Sequence, residues 1–106
     1  MIYVDEVQTD PQCRLRYKRW CHMATDGDLE ELHAMAAQLG LNRQWFQASR
    51  SGRLPHYDLT PNKRALAIKR GAMAVESREL LHRCYPALWE RGDLDEDKAA
   101  FYQNSG

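Results

Sequence analysis

The sequence lacks most of the features that announce a function. No run approaches the ~18–20 consecutive apolar residues of a membrane span, which excludes a spanning helix. No basic-then-apolar leader opens the chain, so a soluble, cytoplasmic domain with no membrane role is expected. Cysteine is scarce. Cys13, Cys21 and Cys84 are odd in number and widely spaced, which argues against a disulfide framework. No C-x-x-C occurs, so a common structural zinc site is not expected. Neither a P-loop nor a G-x-G-x-x-G is present. The absence of G-x-S-x-G, and of any cysteine at a helix cap, argues against nucleophilic catalysis. Net charge is also missing, since 15 basic side chains cancel 15 acidic ones.

What is present describes one small folded unit. A chain of 106 residues has room for a single core, and an apolar share of 43% is too high for a disordered one. Residues 1–85 read as one α/β domain and residues 86–106 as an acidic, partly helical C-terminal extension. The zero net charge hides an asymmetry. Between Arg14 and Arg70, 11 basic residues face five acids, a local charge of +6, and the ends carry the compensating −6. A basic middle suits a phosphate-bearing partner, and it suits intramolecular pairing equally well.

The pattern predicts strands over residues 2–7, 20–24, 44–48 and 72–75, and reads His56-Tyr57-Asp58-Leu59 as an extended lead into the second helix. Trp20, His22 and Ala24 fall on one face of the second strand, Cys21 and Met23 on the other. Leu29, Leu32, Ala36 and Leu39 recur at helical spacing after the cap candidates Thr25 and Asp26, and Gly40 fits a left-handed helix end. Thr60-Pro61 starts a second helix running to about Arg70 and Gly71. Ser77 caps a third, containing Leu80, Leu81 and Cys84, that Pro86 ends or interrupts. Two consecutive strand-helix-strand units favour a mostly parallel sheet with helices packed on it. A ligand would then bind beyond the carboxyl ends of the strands, where the helix starts at Thr25, Thr60 and Ser77 should meet.

Candidate site residues cluster by type. His22, Asp26, His33, His56 and Asp58 form a set that could converge, with His56 and Asp58 on the same side of an extended segment. Imidazoles with carboxylates suit a transition metal, or general acid-base chemistry without one. Against this, a half-buried His33 at the margin of a helix face is an ordinary structural hydrogen-bonder, and a buried His22 needs a partner in any case. Arg50, Arg53, Arg64 and Thr60 are candidates for engaging phosphate. Trp45-Phe46 beside Arg43 could stack bases, or simply join core to surface. Spacing specifies neither a metal nor a cofactor.

The order of motifs resembles a family of small bacterial and phage proteins catalogued as domain of unknown function 4031. The likeness rests on Tyr3-Val4-Asp5, Trp20-Cys21-His22-Met23 with Asp26, Glu31-Leu32-His33, Leu39-Gly40-Leu41, Trp45-Phe46-Gln47, His56-Tyr57-Asp58-Leu59, Lys63-Arg64-Ala65 and Gly71-Ala72. It covers about residues 1–80. The resemblance implies no activity, but it implies that these polar motifs belong to a family pattern. Occurrence in phages would place the family near nucleic-acid metabolism or host defence, by association alone.

Three functions remain open from the sequence. The first is binding of a nucleotide or nucleic acid at the carboxyl edge of the sheet. The second is metal-dependent hydrolysis of phosphate esters by the His/Asp group. The third is a non-catalytic protein partner or inhibitor, docking through the end that carries Trp89 and Phe101.

Overall fold

The computed structural model describes residues 1–9, 19–47 and 55–86. Cys13, Arg50, Arg53, Trp89, Phe101 and nearly all of the acidic extension lie outside these residues. In chain order the elements are β1 (Ile2–Val4), β2 (Gln8–Thr9), β3 (Arg19–Thr25), α1 (Leu29–Gln38), a 3-10 turn (Arg43–Trp45), β4 (Tyr57–Leu59), α2 (Pro61–Lys69), β5 (Met73–Ala74) and α3 (Ser77–Cys84). No helix among the described residues is long and apolar enough to cross a membrane.

Everything is built around β3. Its alternation is the one the sequence shows: Cys21 and Met23 join the core under α1 and α2, while Ala24 joins Tyr3, the α3 residues Leu80 and Leu81, and Tyr85 just after α3. The larger core adds Val4, Leu32, Leu39, Tyr57, Leu59 and Ala67, all essentially buried. The domain therefore has three layers, with two helices on one face of the sheet and α3 on the other.

The sheet is mixed, not mostly parallel. β3 runs antiparallel to β1 and to β4, and only β1 and β5 pair in parallel. Alternation of strands and helices along a sequence sets the layering but not the strand direction. Residues 39–56 are long enough to bring the chain back and enter β4 from the opposite end, so the first expected parallel unit is not one. The second does not begin where it was expected, since residues 44–48 are no strand; in its place β4 and β5 point the same way and α2 crosses between them over β3 and β1. This corrects the expected gathering of helix starts. The end of β3 at Thr25 lies at one edge of the sheet, and Thr60 and Ser77 follow the strand ends at the other.

Local signals fixed the helix ends. Asp28, and not the expected Thr25 or Asp26, caps α1 by accepting a hydrogen bond from the Glu30 amide at 3.0 Å, because Thr25 still belongs to β3 and Asp26 is taken up by the Tyr3 hydroxyl. Thr60 caps α2 with Pro61 in the first turn. Gly40 and Gly71 stop α1 and α2 with φ of 78° and 108°, a backbone region that glycine enters without strain.

Four expectations need correction. The strand expected at residues 44–48 is a 3-10 turn capped by Asn42, and only Gln47 makes an isolated bridge, to His56. The strand expected to be buried at residues 72–75 is an exposed two-residue edge, with Met73 43% exposed. Cys84, which the sequence pattern makes a small buried hydrophobe like Cys21, is only half-buried. Ser77 does not cap α3. Glu76 occupies that position without a side-chain bond, and the Ser77 hydroxyl turns inward.

The first strand is also interrupted. Val4 pairs with Met23 and Gln8 with Trp20, so four steps on one chain match three on the other. The extra residue is a bulge between β1 and β2. Bulges re-aim side chains and strengthen local twist, and this one begins at Asp5.

A candidate metal centre on the α3 side of β3 and β4

β3 and β4 pair with His22 opposite Asp58. Directly opposed residues share a face of the sheet, and His56 lies two residues before Asp58, so it is on that face too. The α3 side of the sheet thus collects two imidazoles and a carboxylate. One nitrogen of each histidine and one oxygen of Asp58 all lie within 4.8 Å of one another, the single such group among the described residues. The imidazole rings meet edge to face with centroids 5.3 Å apart.

Burial makes this arrangement costly without a cation. His22 and His56 are essentially inaccessible, and the Asp58 side chain is 15% exposed. Asp58 Oδ2 accepts a hydrogen bond from Gln47 Nε2 at 2.8 Å. Its Oδ1 is buried and accepts none, with His56 Nε2 3.5 Å away. Loss of hydration is the main cause that lifts the Asp58 carboxyl to about 6. The charge of His22 and the Gln47 hydrogen bond pull it down, and the charge of Asp5 adds to the rise.

A second buried carboxylate stands behind His22. Asp5 is completely buried. It accepts from the His22 main-chain amide at 2.6 Å, meets His22 Nδ1 at 2.7 Å, and accepts from the Ser77 hydroxyl at 2.9 Å. Sequence patterning makes Ser77 a cap and singles Asp5 out for no role. The signal for Asp5 was its place in the Tyr3-Val4-Asp5 motif. Only the bulge and the antiparallel partner turn it toward His22.

The other candidates are placed elsewhere. His33 Nδ1 pairs with the Tyr57 hydroxyl at 2.8 Å and packs on Phe46, on the α1 face of the sheet. It does not join His22 and His56. Asp26 sits past the end of β3, where its Oδ2 accepts from the Tyr3 hydroxyl at 3.1 Å. Arg64 Nε donates to the Asp5 carbonyl at 2.7 Å, and Thr60 Oγ1 accepts from the Lys63 amide at 3.3 Å, so each has a structural contact. Trp20, on the same face as His22, is buried with its Nε1 donating to no acceptor.

Two imidazole nitrogens and one carboxylate oxygen are the donor set of mononuclear zinc or non-haem iron sites that keep coordination positions open. The buried Asp58 oxygen without a hydrogen-bond donor is the kind of group a cation would satisfy.

No curated protein and no solved structure matches the chain. The model of the family described as protein of unknown function (DUF4031) matches residues 2–87, which is most of the sequence and nearly all of the described fold. The chain belongs to that family.

Proposed function

We propose that this domain is a metal-dependent hydrolase, with one divalent transition-metal ion, zinc in the first place, held by His22, His56 and Asp58. The observation that carries the reading is the convergence of three ligand atoms of the right types within 4.8 Å around a buried carboxylate oxygen that accepts no hydrogen bond. Three protein ligands leave a tetrahedral ion one open position, and an ion bound this way supplies a Lewis acid and lowers the pKa of a coordinated water toward neutrality. The chain's own contribution is geometric. β3 holds His22, β4 holds Asp58, the bridge to Gln47 holds His56 just before β4, and the Gln47 side chain steadies Asp58. Phosphate esters are the substrate class we favour, because the chain between Arg14 and Arg70 carries an excess of +6.

The test is elemental analysis of untagged protein purified without chelator, with hydrolysis of bis(p-nitrophenyl) phosphate followed in parallel. The expected result is close to one zinc, manganese or iron per chain, lost together with hydrolysis in His56→Ala. Metal-free protein that added zinc does not stabilise would refute the centre. A metal-loaded protein that does not cleave the phosphodiester would refute the substrate class.

A further inference from the structure

We infer that Asp5 is the positioning residue of this centre: it fixes the ring of His22 with the proton on Nδ1 and so presents Nε2 to the ion. The inference rests on the metal-centre reading and adds to it a residue outside the ligand set.

The geometry over-determines Asp5. Its carboxylate already accepts from the His22 amide and from Ser77 Oγ. With donors on both oxygens it takes the acceptor role toward His22 Nδ1, 2.7 Å away. The imidazole then carries its proton on Nδ1 and its lone pair on Nε2. The Gln8 amide nitrogen also approaches Nδ1, but at 3.4 Å it is too distant to compete. Because Asp5 bonds both the main chain and the ring of the same residue, swinging the ring would break a contact anchored at its own backbone. Asp5 is itself fixed from three sides. Its amide donates to the His22 carbonyl at 3.1 Å, its carbonyl accepts from Arg64 Nε of α2, and Ser77 ties it to α3. Carboxylates behind metal-bound imidazoles set the tautomer and orientation in this way, and removing them weakens metal affinity about 10–100-fold.

Asp5→Asn separates this role from simple support of the fold. The side chain keeps its shape, and an oxygen remains for the His22 amide. The nitrogen placed against Nδ1 is now a donor, so the neutral ring must carry its proton on Nε2, the wrong place for a ligand. Nitrogen-15 spectra of histidine-labelled, metal-free protein read the tautomer directly. Competition against a chromophoric chelator reads zinc affinity. Wild-type protein should show His22 with an Nδ1 proton. Asp5→Asn should show the Nε2 proton and bind zinc about 10–100-fold more weakly. Tyr57→Phe, which removes the hydroxyl that His33 meets on the other face of the sheet and leaves Asp5 and His22 as they are, should keep both the wild-type tautomer and the wild-type affinity.

An Nε2 proton on His22 in wild-type protein overturns the inference. So does undiminished zinc affinity in folded Asp5→Asn, or a Tyr57→Phe variant that loses as much affinity while its tautomer is unchanged. Failure of the wild type to bind zinc overturns the centre itself, and this inference with it. Zinc binding that ignores Asp5 overturns only the inference.

Discussion

Replacing Asp58 by asparagine should stabilise the metal-free protein at neutral pH while destroying its response to metal. In the fold the Asp58 carboxyl is lifted from 3.8 to about 6, chiefly by burial. That shift of about two units makes ionised Asp58 cost about 3 kcal/mol of folding free energy above pH 6. The sign follows from proton counting. Between pH 4 and 6 the native state holds a proton that the unfolded chain has released, so stability falls as pH rises through this window and stays low above it. An asparagine removes the ionisation. Its carbonyl oxygen can accept from Gln47 Nε2 as Asp58 Oδ2 does, and its amide replaces the oxygen that accepts no hydrogen bond. Desolvation of the amide offsets part of the gain, so about 1–3 kcal/mol should remain at pH 7.5, or roughly 5–15 °C in Tm. At pH 4 the gain should vanish, because protonated Asp58 is neutral already. Added zinc should reverse the order of stability, since only the wild type retains three ligands. Calorimetry of both proteins at pH 4.5 and 7.5, with chelator and with zinc, checks all of this. A chelated variant less stable than wild type at pH 7.5, or an equal gain at both pH values, would refute the reasoning.

Zinc at one hundred times its Kd should stabilise the wild type by about 2.7 kcal/mol, and His56→Ala should show no such shift in a thermal melt. Tyr57→Phe removes the hydroxyl that His33 meets and should cost about 1 kcal/mol of stability in urea, with zinc affinity unchanged. Gly71→Ala should cost about 1–2 kcal/mol by the same assay, although its side chain would meet nothing within 4 Å, because the strain lies in the φ of 108°. Cys21 should resist a thiol reagent until the protein unfolds. It is fully buried, and loss of hydration pushes its thiol well above the ordinary range.

The ligand set illustrates how differently neighbouring residues can be read. His56 and Asp58 were legible together, since two-residue spacing in an extended segment places both on one face. His22 was legible as a polar residue on a strand face otherwise apolar. His33 belonged to the same motif list, yet joining it to the group required α1 and the site to share a side of the sheet, and they lie on opposite sides. Asp5 was passed over because its importance comes from a bulge, and a bulge is a mismatch in pairing between two strands that one strand's sequence does not reveal.

By itself the sequence determined the local matters. The cap at Thr60, the glycine stops at 40 and 71, the faces of β3 and the periodic core of α1 depend on contacts within a few residues, and side-chain chemistry decides them directly. Strand direction, the register of β3 against β1 and β4, and the meeting of His22 with His56, Asp58 and Asp5 were decided only in the tertiary structure. Those contacts join residues 17 to 38 positions apart, and which of them form depends on how the whole chain closes its two apolar layers around β3.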